Sequence, residues 1–98
     1  MIEVRTTAIF MKWFESLKDR KAKARIQARI DRIEMGHFGD AAPVGEGVSE
    51  LRIFHGPGYR VYFVQAGDVV VILLSGGDKS TQHADITRAK EIARQIEV

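Results

Sequence analysis

Two arginines and two aromatic residues alternate with apolar residues across ELRIFHGPGYRVYF, residues 50–63. Arginine offers fixed donors that grip phosphate oxygens in pairs, and aromatic faces stack on unpaired bases. Arg52, Phe54, Arg60 and Tyr62 are thus the residue types of a surface that binds a phosphate and a base. The same four side chains also fit a plain surface cluster with modest cation–π stabilisation, and the hairpin alone favours that plainer reading slightly. A second polar cluster, SGGDKSTQHAD at residues 75–85, brings Lys79, His83 and Asp85. Gly76 and Gly77 permit a sharp turn or a close backbone approach, and the N–H groups at a following helix start can receive an anion. The cluster matches neither a Walker loop nor a dinucleotide fingerprint. His37, His55 and His83 lack metal-ligand spacing, and no serine nucleophile motif occurs. No metal or cofactor is expected.

These side chains need a frame. Leu51 and Ile53 should share one face of a strand, and Tyr59, Val61 and Phe63 one face of the next. Joining both sets to one core puts Ile53 opposite Val61, Leu51 opposite Phe63 and His55 opposite Tyr59. A three-residue Gly56-Pro57-Gly58 loop then closes the hairpin, with Gly58 suited to the left-handed position. On the second face Arg52 falls opposite Tyr62, and Phe54 opposite Arg60.

The rest of the chain supplies the scaffold. Residues 2–5 alternate as a short strand. Phe10, Trp13, Phe14 and Leu17 form a helical stripe behind a Thr6 or Thr7 cap, with Trp13 assigned to the core. A second helix is expected over 19–35, with Ala22, Ile26, Ile30 and Ile33 inward and Gly36 at its end. The short link SLKDR makes the two an antiparallel hairpin. Residues 36–49, rich in Gly and Pro, read as a loop. Strands follow at 50–54, 59–65 and 69–74, the last apolar at every position and so covered on both faces. A final helix runs from Gln82 to about Glu97, with Ile86, Ala89, Ala93 and Ile96 inward. The predicted class is α+β, in the order β-α-α-β-β-β-α: an antiparallel sheet carrying an N-terminal helical hairpin and a C-terminal helix.

With 98 residues and 45% hydrophobic content, residues 1–98 suit a single domain with one core. There are no cysteines, so disulfides and thiolate metal sites are excluded. No apolar run nears the ~20 residues of a membrane helix, and the first ten residues carry Glu3 and no long apolar stretch. A cytoplasmic protein without a membrane partner is expected. The net charge of +2 is unevenly spread: residues 12–32 hold eight Lys or Arg against three acids, which makes that segment +5 and leaves −3 elsewhere. Such a region, including Lys18, Lys21, Lys23 and Arg25, can attract a polyanion or simply form a solvated helix face.

Taken together, SELRIFHGPGYRVYF and LLSGGDKSTQHADITRAKEIA resemble the RelE/ParE superfamily of bacterial toxins, nearest to its HigB-like branch of addiction module killer proteins. The likeness spans nearly the whole chain. It implies the toxin of a type II toxin–antitoxin system, with an adjacently encoded antitoxin, often a small helix-turn-helix protein. Many relatives are ribosome-dependent endoribonucleases acting on messenger RNA; ParE-like members instead poison DNA gyrase without being enzymes. Arg60 in GYR matches the family's strand arginine that binds the reacting phosphate. Lys79 lies where many relatives place a basic residue, and Arg52 on a strand that carries basic residues in several nucleases. His83 and Asp85 lie near a variable catalytic position. The C-terminal tyrosine of some RelE members has no counterpart here.

Under that resemblance the chemistry is metal-free. The RNA 2′-hydroxyl attacks, a base takes its proton, an acid protonates the leaving 5′-oxygen, and cations stabilise the phosphorane. Arg60, Arg52 and Lys79 supply charge, His83 or His55 the proton transfer, and Phe54 or Tyr62 a stacking face. Lys18, Lys21, Lys23 and Arg25 are expected on ribosomal RNA, although an acidic antitoxin segment suits the same surface. A gyrase poison and an RNA-binding module without catalysis are the alternatives.

Overall fold

The computed structural model describes residues 1–96. Its elements are β1 (Glu3–Thr6), α1 (Ala8–Ser16), α2 (Arg20–Glu34), β2 (Ala41–Gly45), β3 (Val48–Ile53), β4 (Tyr59–Ala66), β5 (Val70–Asp78), a 3-10 turn (Lys79–Thr81) and α3 (Gln82–Gln95). The class is α+β, as the sequence predicts. The sheet has five strands in the order β1-β5-β4-β3-β2. Strands β2 to β5 are antiparallel neighbours, whereas β1 lies parallel to β5. The expected all-antiparallel sheet therefore gains a parallel edge. Glu97, placed in the last helix by periodicity, lies outside the described residues.

Local chemistry sets the helix ends. The Thr7 hydroxyl accepts from Phe10 N (3.0 Å) and donates to the Leu74 carbonyl (2.7 Å), so one side chain both caps α1 and fastens it to β5. Asp19 caps α2 by accepting from Lys21 N and Ala22 N. Gly36 adopts φ +88° beyond α2, and its N–H reaches back to the Ile33 carbonyl, the expected left-handed stop.

Both faces of the sheet are covered. Phe10, Ile26, Ile30 and Ile33 of the helical hairpin pack on Leu51, Ile53, Val61, Phe63, Val71 and Leu73. Val48, Tyr62, Ile72 and Leu74 face Ala89 of α3. Alternate residues of β5 thus serve opposite cores, which accounts for its uninterrupted apolar run.

Three expectations change. Residues 41–45 are a strand rather than loop. Pro43 is tolerated there because β2 is an edge strand, with a bulge between Pro43 and Gly45. β5 continues to Asp78 instead of stopping at Leu74, passing through both glycines. A Cβ on Gly76 would run into the Trp13 ring, and one on Gly77 into the Asp85 carboxylate. Those glycines allow close approach within a strand rather than ending it.

The hairpin register also differs. Ile53 pairs with Tyr59, Arg52 with Arg60, Leu51 with Val61, Glu50 with Tyr62, and Ser49 with Phe63. The shift is two residues, so every side chain keeps its expected face while its opposite partner changes. The cause is a longer tip: Phe54 and His55 leave the ladder, and the connection is five residues long. His55 N donates to Ile53 O (3.0 Å) and Gly58 N to His55 O (3.1 Å). Gly56 (φ +56°) and Gly58 (φ +83°) supply the left-handed conformations that the tip requires.

Candidate active site

The lengthened tip is where the candidate residues meet. A pocket of about 340 Å³ is lined by the Phe54–Gly58 segment, Arg60 and Lys79. Lys79 arrives from the turn before α3, and its N–H donates to the Gly58 carbonyl at 2.9 Å. The pocket wall holds two permanent cations, one histidine and no carboxylate. It therefore presents a positive field to an anion.

Arg60 is set deep, at 7% exposure. Its Nε lies 3.7 Å from Glu50 Oε2, and Gln82 Nε2 donates to the other Glu50 oxygen at 2.9 Å. Its Nη1 makes only long contacts, 3.4 Å each, to the Gly58 and Tyr59 carbonyls. The guanidinium is anchored from within and weakly engaged toward the pocket, where an anion would compete successfully for its donors. Glu50 and Gln82 are site residues that the sequence reading missed. Glu50 precedes Arg52 by two and so lies on the same face of β3, but its ion pair crosses to Arg60 on β4 and has no local signature.

His55 lines the pocket and points its Nε2 at Asp19 Oδ2, 3.0 Å away. The Asp19 carboxyl is held below the usual carboxylate range, first by the Ala22 N–H and then by His55. Phe54 is 77% exposed beside them. Arg60, Lys79, His55 and Phe54 are thus brought together.

Arg52, His83 and Tyr62 are not in this pocket. Arg52 is half-buried and bound to Asp40 through Nε (3.1 Å) and Nη2 (2.8 Å), while Arg29 donates to its carbonyl. Its place is in the scaffold, correcting its expected surface role. His83 is exposed on the first turn of α3 and does not line the tip pocket. Tyr62 is fully enclosed at 0% exposure, so its ring has no free face for a base. Desolvation, then Asp85 and Glu50, push its phenol pKa upward. The face expected to meet water is instead roofed by α3. That roof was legible as a stripe on α3 but was not assigned to this side of the sheet.

Lys18, Lys21 and Arg25 are exposed. Lys23 instead turns inward, its Nζ 5.6 Å from the centre of the Phe14 ring. Lys18 and Lys21 flank Asp19 in sequence, so the basic helical hairpin begins beside the tip. Among the described residues, no group of three or more His, Asp or Glu side chains could hold a metal ion. No helix among them is long and apolar enough to cross a membrane. A larger cleft of about 420 Å³ lies between α1 and α3, with Asp85 alongside Lys12 and Arg88. Its carboxylate offsets the positive field that the tip pocket retains.

Residues 12–96 match the family model described as phage derived protein Gp49-like (DUF891). The chain belongs to this Gp49-like family. An uncharacterized protein of Haemophilus influenzae is 50% identical over 95 residues, covering 97% of this chain and 96% of the relative. Among solved structures, a double arginine-to-alanine mutant of the E. coli toxin RelE in the free state superposes with a TM-score of 0.70. That match covers 97% of this chain and 98% of the other at 11% identity, so this Gp49-like chain has a RelE-like fold.

Proposed function

We propose that this Gp49-like chain is the toxin of a type II toxin–antitoxin system in the HigB-like branch. It acts as a metal-independent, ribosome-dependent endoribonuclease that cleaves messenger RNA in the cytoplasm. The observation that carries this reading is the tip pocket, which unites Arg60, Lys79, His55 and Phe54 without a carboxylate on its wall. The RelE-like fold and the Gp49-like family support the toxin class.

The chemistry follows from those groups. The 2′-hydroxyl of the substrate attacks the adjacent phosphorus, and the bond to the 5′-oxygen of the next nucleotide breaks. The products are a 2′,3′-cyclic phosphate and a 5′-hydroxyl. Negative charge grows on the non-bridging oxygens, and Arg60 and Lys79 stabilise it. His55 exchanges protons with the attacking or the leaving oxygen, since an imidazole can both accept and donate a proton. Phe54 stacks on a base next to the scissile bond. Lys18, Lys21 and Arg25 contact ribosomal RNA, and the partner that silences the toxin is an adjacently encoded helix-turn-helix antitoxin.

A translation reaction on a defined messenger, read by primer extension, tests this. The expected result is discrete ribosome-dependent stops, lost in Lys79→Ala and not restored by any added metal ion. Messenger left intact at toxin levels that arrest growth would falsify the nuclease. Inhibited DNA supercoiling under those conditions would replace it with a gyrase poison.

A further inference from the structure

We infer that Asp19 is the positioning residue for His55, fixing which ring nitrogen is free to exchange a proton at the hairpin tip. The inference rests on the nuclease reading and deepens it. Asp19 uses its two oxygens on two tasks. Oδ1 accepts from Lys21 N at 2.9 Å and Ala22 N at 3.2 Å, capping α2. Oδ2 lies 3.0 Å from His55 Nε2, across 36 residues of sequence.

An ionised carboxylate can only accept, so the ring nitrogen facing it carries the hydrogen. In neutral imidazole this leaves Nδ1 with a free lone pair, ready as a base. In imidazolium Nδ1 carries the second proton, ready as an acid. Nδ1 makes no hydrogen bond among the described residues, and His55 lines the same pocket as Arg60 and Lys79. Base, orienting carboxylate and phosphate-facing cations thus come from separate elements: the β3–β4 tip, the α1–α2 link, β4 and the turn before α3. A general base oriented by a third group is a recurrent way to fix a tautomer.

Helix capping makes a sharp test possible. In Asp19→Asn the carbonyl oxygen is needed by the Lys21 and Ala22 N–H groups, and asparagine caps as well as aspartate. The amide NH₂ must then face His55 and donate to Nε2, which moves the neutral-ring hydrogen to Nδ1. Asp19→Ser keeps a cap but is too short to reach the imidazole. Long-range ¹H–¹⁵N spectra of His55 should show the Nε2–H tautomer in the wild-type chain and Nδ1–H in Asp19→Asn. Messenger cleavage on ribosomes should fall on the order of 10²-fold or more in kcat for both variants, with KM little changed. His55→Ala should be as slow, and the double variant with Asp19→Asn no slower, because the two act as a unit. Wild-type cleavage that survives both Asp19 variants, or an Nδ1–H tautomer in the wild-type chain, overturns this inference alone. A wild-type chain without cleavage, whatever its tautomer, overturns the nuclease reading and the proton transfer with it.

Discussion

The two faces of the sheet are built on different terms. The face under the helical hairpin is a continuous apolar core from Phe10 through Leu73. The face under α3 begins the same way, with Val48, Ile72, Leu74 and Ala89, but toward the hairpin tip it buries Glu50, Arg60 and Ser75. Among the described residues, the three buried side-chain atoms without a hydrogen-bond partner are Arg60 Nε, Tyr62 Oη and Ser75 Oγ. Tyr62 and Ser75 are cross-strand neighbours, and Arg60 is two residues from Tyr62 on the same face. Polar groups left unpaired this way cost stability, so their concentration points to another role that retains them. One face holds the fold together, and the other gives up some stability to hold an arginine in place.

That contrast can be broken from either side. On the hairpin face, Phe10→Ala should cost about 3–5 kcal/mol in urea unfolding, with cleavage per folded molecule unchanged. On the α3 face, Arg60→Ala should cost about 3–5 kcal/mol because it strands Glu50 as a buried, unpaired charge. It should also lower cleavage by about 10²–10³-fold. Adding Glu50→Gln should restore most of the stability and none of the activity, which separates the two roles of the arginine.

Tyr62→Phe removes a buried hydroxyl that has no partner and should change stability by no more than about 1 kcal/mol at neutral pH. Its pH dependence is more telling. The folded phenol pKa is raised, so the folded state keeps its proton after the unfolded chain has lost its own. Stability is then complete below the unfolded value of about 10 and falls as pH rises beyond it. Melting curves from pH 9 to 11 should show this fall in the wild-type chain and a shallower one in Tyr62→Phe. The smallest change is at the surface. Neutralising Lys21 and Arg25 should reduce the salt slope of ribosome binding by about 1–2, and Lys23→Gln should reduce it less, since Lys23 is turned toward Phe14.

The same contrast governs what could be read from the sequence. Apolar alternation identified which residues of the hairpin share a face, because exchanging faces would expose a core. It could not set their opposite partners, because a two-residue shift preserves every face, and the five-residue tip made that shift. The helix cap at Thr7 is local and was legible, whereas Asp19 was placed inside α2 rather than at its cap. The second partner of Asp19 lies across the chain and was not legible. Arg60 was singled out but read as exposed, since its burial depends on Glu50 and Gln82, far apart in sequence. Gly76 and Gly77 looked like the end of a strand because the side chains that crowd them, Trp13 and Asp85, come from two helices.

The parallel pairing of β1 with β5 bears on how the molecule is made. Thr7 is fastened to Leu74 across 67 residues, so α1 and the first strand have no place to dock until β5 exists. The tip waits as well: Gly58 is tied by Lys79, and Glu50 is held by Gln82. Contacts this distant in sequence close late. A nascent chain therefore carries its arginines and histidine past the ribosome as loose segments, and they converge only when synthesis is nearly complete. The tip pocket is thus among the last features of the fold to be completed.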